Sequence, residues 1–412
     1  MTTTTTEAKV QPPSPSPLGE GGGKGLPPSP APPKKQQKAK GELSQWQLIR
    51  IGFAKHKLAV VSLRLLVLLY LIALFAEFIA PGVPATRDLT HAYCPPQLVR
   101  WNPTNGLHVL AMKRDVDPIT FRKTYVEQKD DPIPLKFFAE GAPYNLFGLI
   151  PMTRHFLGVD QSALGGSTSL TAGNRQSSIL PSFYFLGADK YGRDIFTRIV
   201  YGARISLSVG IIGIAFTFVL GMTIGGISGY VGGRTDLLIQ RLIEIINSFP
   251  HLPLWIAIGA VLPQDWPPLK VYFAITIVLS LLGWTGLARV VRGKILSLRE
   301  EDYAMAARLL GASHARILGR HLLPGFTSHI IVALSLSVPG MILGETSLSF
   351  LGLGLRPPVV SWGVMLQDCF DTQALRFYPW LLAPVMFIIA TVLCFNFVGD
   401  GLRDAADPYS TR

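Results

Sequence analysis

Four ionisable side chains, Arg64, Arg241, Glu244 and Glu345, fall inside stretches that are otherwise apolar. A charge at the centre of a membrane span costs roughly 2.5 to 3.5 kcal/mol on insertion scales, so each needs a physical reason. Arg64 lies only a few residues past Leu58 and can snorkel to the nearer interface. Arg241 and Glu244 are three apart and share a helix face, so a mutual ion pair is the expectation and a substrate contact the rival. Glu345 sits deep in its stretch, after Pro339, with no cation at helical spacing. It is therefore a candidate for lining a pore or for packing between helices of two subunits.

Other chemistry finds no support. "GEGGGKG" at Gly19 to Gly25 looks superficially like a phosphate loop, but Gly25 stands where Ser or Thr is needed, and neither a strand nor a helix flanks it. A linker is the better reading, and no ATP site occurs elsewhere. Cys94, Cys369 and Cys394 form no CxxC pair, so neither a zinc site nor a disulfide framework follows. No nucleophile, base and orienter can be assembled either, so no catalytic, cofactor or metal residues are expected.

The elements that position these residues belong to a membrane protein. The 412 residues are 49% hydrophobic and only 16% charged, with a mean hydropathy of +0.35. The net charge of +12 lies largely in the N-terminal tail and in one polar hairpin beside apolar spans, which fits lipid and topology rather than nucleic acid. Residues 1–42 are Pro, Gly, Ser, Thr and Lys rich and are expected to be a disordered tail. They lack the apolar core and cleavage site of a signal peptide.

Six stretches reach the roughly 20 residues that a bilayer crossing needs. They run from Leu58 to Ala80, Ile205 to Gly229, Leu237 to Leu262, Val271 to Ala288, His329 to Leu353 and Trp380 to Leu402. Basic residues precede the first, and Arg234 lies between the second and third. Arg289, Arg292, Lys294, Arg299, Arg308, Arg316 and Arg320 lie between the fourth and fifth. Positive loops stay cytoplasmic, so both termini are expected inside, and residues 81–204, Pro263 to Lys270 and Gly354 to Tyr378 outside.

The expected organisation is a tail (1–42), a first helix region (43–80), an outer loop or subdomain (81–204), a core of five spans (205–402) and a cytoplasmic end (403–412). Cys94 and Cys369 share the outer side, where a disulfide is chemically permitted, with two free thiols as the simpler expectation. Asp189 with Arg193 and Asp194 with Arg198 are i,i+4 pairs that suggest a helix on the membrane surface. Gly221, Gly225 and Gly229, and Gly340 with Gly344, recur every fourth residue; such stripes serve packing within a chain or against a second subunit equally well.

In "DYAMAARLLGASHARILGRHLLP", from Asp302, the residues Tyr303, Ala306, Ala307 and Leu310 follow one helix face, and Met305 and Leu309 make a second apolar stripe. A helix apolar on both sides must be buried against something. Gly311 can end it in the left-handed conformation, and Ser313 can cap a second helix reaching about His321.

The stretch resembles the EAA loop of bacterial ABC importer permeases, whose pattern is Glu-Ala-Ala, three residues, Gly, nine residues, then Ile-x-Leu-Pro. Ala306, Ala307, Gly311, Leu323 and Pro324 match, while Met305 replaces Glu and His321 replaces Ile. Further matches include "RLIEIINSFP", "GETSLSFLGLGLRPPVVSWGVML" and "NFVGDGLRDAADP". They narrow the resemblance to C-type permeases of dipeptide and oligopeptide importers, from about Phe185 onward.

The resemblance implies an all-α integral membrane protein with six transmembrane helices, a type I ABC importer permease fold, and an extracytoplasmic insert between helices one and two. It implies a bacterial inner-membrane location, a heterodimer with a B-type permease, two ABC ATPases and an extracytoplasmic peptide-binding protein. The loop of about 293–326 then docks on an ATPase. Glu301 or Asp302, four and three residues before Met305, could supply the carboxylate that Met305 lacks. The rival from another class is a secondary transporter or channel working without ATPases, which would need inverted repeats or broken helices at the midplane; comparable halves are not evident.

Overall fold

The computed structural model describes residues 45–119, 123–160, 183–263 and 265–406, so the expected tail at 1–42 and most of the expected cytoplasmic end fall outside the described residues. Helix α1 (Gln45–Lys55) leads into α2 (Lys57–Leu74) and the short α3 (Ala76–Ile79). Then come β1 (Arg100–Asn102), β2 (Gly106–Val116), β3 (Lys123–Leu146) and β4 (Ile150–Val159). The core follows with α4 (Ile195–Val231), α5 (Gly233–Ser248), α6 (His251–Val261) and α7 (Pro268–Leu298). After it run α8 (Asp302–Leu309), α9 (His314–Arg316), α10 (Thr327–Phe350), α11 (Trp362–Leu366), α12 (Thr372–Phe377) and α13 (Ala383–Ala406).

Among the described residues, five helices are long and apolar enough to cross a membrane, or six if the bent pair α5–α6 is one span. The third apolar stretch is thus not a straight helix: its halves meet at 84°. Phe249 and Pro250 are the hinge, because proline donates no N–H and pushes the residue before it out of the helical region.

The expectation of an all-α protein is corrected by the insert. β1 to β4 form a four-stranded antiparallel sheet in sequence order. The strands carry little sequence signal because they are dense in charge and contain Pro132 and Pro134, which argue against a central strand. Only short runs such as "KTYVEQ" alternate cleanly between partly buried and exposed residues.

Helix α4 starts ten residues before the expected second span and takes in part of the expected outer loop. Among the described residues 183–194, no surface helix precedes it. Residues 186–194 fold as turns with an isolated Ala188–Asp194 bridge, and Asp194 caps α4 by accepting from the Phe196 and Thr197 N–H groups. Arg193 pairs with Asp189 as expected, at 2.6 Å, but Arg198 also turns to Asp189, since Asp194 is occupied by the cap.

The glycine stripes pack within this chain. A Cβ at Gly225 would lie 2.4 Å from the Ala288 carbonyl oxygen, and one at Gly229 2.8 Å from that of Arg292, so α4 lies backbone to backbone on α7. Gly344 likewise meets Leu279 of α7, whereas a Cβ at Gly340 would meet nothing. Between α2, α4, α10 and α13 sits a core of Leu69, Leu207, Ile342, Trp362 and Ile388.

Candidate functional site: the α8 hairpin and a buried carboxyl

The α8 hairpin is set by its turn. Ala312 N–H bonds to the Ala307 carbonyl at 3.1 Å and Gly311 N–H to that of Arg308 at 3.0 Å, which is the Schellman arrangement. That geometry requires a left-handed residue, and Gly311 has φ +79°. The Ser313 hydroxyl accepts from the Arg316 N–H and starts the second arm, which continues through a π-helical turn, Ile317–Leu322, and a 3-10 turn, Leu323–Phe326. Tyr230 of α4 reaches His314 Nδ1 at 2.9 Å.

The hairpin is held from behind. Ala304, Ile317, Leu322 and Phe326 pack on Leu287, Val291 and Ile295 of α7, all buried. Arg292 of α7 grips Asp236 of α5 with two bonds of 2.5 and 2.6 Å, and Arg299 donates to the Gly229 carbonyl, so these arginines brace the base of the loop as well as carrying charge.

The buried side of α8 is not either stripe read from the sequence. Ala304 alone in α8 is fully buried, with Ala307 partly so, while Tyr303 and Met305 are about half exposed and Leu309 and Leu310 are each 88% exposed. Small alanines allow close approach to the core, which leaves the large apolar side chains outward. Glu301 and Asp302 are exposed beside Met305 and Ala306. His321 and Leu323 are half-buried in the second arm and Pro324 is exposed.

Glu345 lies at the other functional candidate. It is fully buried within this chain, among serines rather than cations. Ser349 and Ser361 each donate to Oε1 at 2.8 Å, and Ser206 of α4 donates to Oε2 at 3.4 Å. Each serine oxygen in turn accepts a backbone N–H: Leu355 on Ser349, Val364 on Ser361 and Trp362 on Ser206. One carboxyl therefore ties α4, α10 and the segment that carries α11 into a single satisfied polar network.

That segment lies within the stretch Gly354 to Tyr378 expected on the outer side, and it packs on the bundle: Leu355, Ser361, Trp362, Val364 and Met365 are buried, and Trp362 Nε1 donates to the Ile199 carbonyl at 3.0 Å. A Cβ on Gly363 would sit 2.8 Å from Thr346 and Ser349, so glycine permits the close approach of α11 to α10. Of the serines, Ser349 was readable at i+4 from Glu345; Ser206 and Ser361 are remote in sequence and carried no signal.

Arg241 and Glu244 do pair, at 2.7 Å, but both are largely exposed on α5 and meet nothing in the site. At the sheet end, Asp189 and Arg198 are buried together, with Arg193 and Asp368 close by. Asp88 accepts from His91 at 2.6 Å and from Tyr184 at 3.3 Å. Burial works to raise the Asp88 carboxyl, yet its bonds from His91 and Thr90 prevail and hold it down at about 2. Cys94 and Cys369 are free thiols, pushed up by burial to about 12 and about 11.

Comparisons with known proteins place the sequence among relatives. The family described as "Binding-protein-dependent transport system inner membrane component" matches residues 221–411, and that described as "N-terminal TM domain of oligopeptide transport permease C" matches residues 44–96. The chain is 43% identical over 230 residues to the oligopeptide transport system permease protein OppC of Haemophilus influenzae, covering 56% of this chain and 71% of that one. It is 41% identical over 229 residues to the dipeptide transport system permease protein DppC of Bacillus subtilis, covering 56% and 70%. Among solved structures it is similar to the inward-facing MetNI methionine ABC transporter, at 17% identity over 51% of this chain and 97% of that one, with a TM-score of 0.41. Two family segments in chain order, on a bundle that presents the hairpin, make this chain a member of the ABC transporter inner-membrane permeases, as a C-type subunit of the oligopeptide and dipeptide branch.

Proposed function

We propose that this chain forms one half of the translocation pathway of an ATP-driven importer for dipeptides or oligopeptides. Its own part is permeation and coupling, without catalysis; hydrolysis belongs to two ATPase subunits. A B-type permease supplies the other half, and an extracytoplasmic binding protein delivers the cargo. The carrying observation is the outward apolar face Tyr303, Met305, Leu309 and Leu310, on a hairpin whose back is locked into the core. An apolar face of this kind in water calls for a protein partner.

In this reading α5 and α6 together are the third of six spans, residues 81–194 with their sheet lie outside, and both termini are cytoplasmic in the inner membrane. The coupling residues are Glu301, Asp302, Met305, Ala306, Ala307, Gly311, His321, Leu323 and Pro324. Glu345 acts from within, fixing α11 against α4 and α10 rather than touching cargo, while Arg241 and Glu244 neutralise each other.

The test is purification of the complex through a tag on this chain. Two ATPase copies should accompany it, and Leu309→Glu with Leu310→Glu should release them while the second permease remains. An active transporter containing this chain alone would overturn the reading.

A further inference from the structure

The β3–β4 hairpin ends in the turn Phe147, Gly148 and Leu149. A turn facing water draws on Gly, Asn, Asp, Ser and Pro, whereas this one spends two of its three positions on large apolar residues. Phe147 even adopts φ +54°, a conformation that bulky side chains rarely take. Leu149 is 84% exposed, and Ile150, Phe138 and Phe156 are each about half exposed on the same hairpin.

The position of this tip relative to α2 follows from ring contacts. Phe147 meets Phe75 edge to face at 5.5 Å, and Phe78 meets both Phe138 and Phe156 at 6.0 Å. His155, buried, faces the Ala80 carbonyl through Nδ1 at 2.6 Å and the Ala142 carbonyl through Nε2 at 3.0 Å, tying the strands to the end of α3. An α-helix rises about 1.5 Å per residue, so α2 spans about 27 Å, and Phe75 and Phe78 stand at the edge of a hydrocarbon core about 30 Å thick. The hairpin tip that touches them stands at the same depth.

Between hairpin and helix lies an open cavity of about 690 Å³ lined by apolar side chains, among them Leu68, Ile72, Phe75, Leu146, Met152 and Phe156. It continues the exposed apolar face of α2, where Leu65, Val67, Leu68 and Leu71 point away from the bundle. The uncovered face of a span meets lipid or the second permease, and a groove lined by apolar side chains alone, running on to the hairpin tip at the bilayer edge, suits an acyl chain.

We propose that the β3–β4 hairpin is an interfacial membrane anchor: its Phe147–Leu149 tip lies in the leaflet at the C-terminal end of α2, and a phospholipid acyl chain fills the groove between them. The sheet is thereby held flat at the membrane edge by lipid as well as by His155. Burial of apolar area in the headgroup boundary is the same force that holds amphipathic helices there.

The experiment places p-benzoylphenylalanine in full-length chains at Leu149, at Phe156, at Val67 as the span control, or at Trp101 as the far-strand control, 72% exposed. Native membranes are irradiated and the chain is read by mass. Leu149 and Phe156 should gain one phospholipid as readily as Val67 does, on the order of ten-fold more than Trp101. An adduct to a second polypeptide at Leu149 would make the tip a protein interface and overturn the proposal. No lipid at Leu149 while Val67 is labelled would make it a water-facing turn, and no lipid at Val67 would remove the continuity on which the groove's assignment stands.

Discussion

The Ser361 hydroxyl donates to the Glu345 carboxyl at 2.8 Å while accepting the Val364 N–H, so a side chain on a long helix holds the first turn of the short helix α11 in place. Ser206 and Ser349 repeat that double role on the same carboxyl.

Glu345→Leu should therefore cost more than its volume change implies, because three buried hydroxyls lose their acceptor, at about 1 to 3 kcal/mol for each left unsatisfied. Peptide uptake should fall and detergent-extracted protein should melt earlier, whereas Glu345→Gln, which keeps an acceptor oxygen, should retain most of both. Equal behaviour of the two variants in a thermal shift assay and in uptake would refute this.

Gly311 tests the hairpin turn. A Cβ there would meet nothing, so the penalty of Gly311→Ala is the left-handed backbone alone, about 1 kcal/mol. Gly311→Glu adds a charge at the face proposed to dock on an ATPase and should uncouple ATP hydrolysis from uptake with membrane insertion intact. Unchanged cargo-stimulated hydrolysis and uptake in the glutamate variant would count against a coupling role.

Met305 stands where the family's glutamate is expected, and Glu301 and Asp302 are both exposed near it. If either supplies the missing charge, a double-mutant cycle against basic residues of the ATPase cleft should show coupling of about 0.5 kcal/mol or more. Coupling near zero for both would leave apolar docking through Met305, Leu309 and Leu310 by itself.

Acid should loosen the insert before the bundle. Asp88 has its carboxyl lowered from 3.8 to about 2. A depressed acid contributes stability that is fully present above its unfolded value and is lost as pH falls through the folded one. Protection of the segment around Asp88, His91 and Tyr184 against hydrogen exchange should drop between about pH 4 and pH 2, and Asp88→Asn should flatten that dependence. An identical profile in the variant would show that another group governs it.

Local chemistry made much of this legible. Apolar runs located the long apolar helices, since only a helix of that length satisfies its backbone in lipid, but not the bend in the third run or the early start of α4. Gly311 and Ser313 announced the hairpin, because a left-handed stop and a capping hydroxyl are properties of single residues. The pairing of Arg241 with Glu244 and of Asp189 with Arg193 followed from helical or near spacing.

Tertiary structure decided what depends on residues far apart in the chain. Ser206 and Glu345 are separated by 139 positions, and nothing local to either marks them as partners. Arg198 abandoned Asp194 for Asp189 because the helix N-terminus claimed Asp194 first. The glycines of α4 could serve either interface until the backbone of α7 was seen against them. The α8 face turned outward for a similar reason: both alanines and leucines are apolar, and only the nearness of α7 selected the small side chains for the inside.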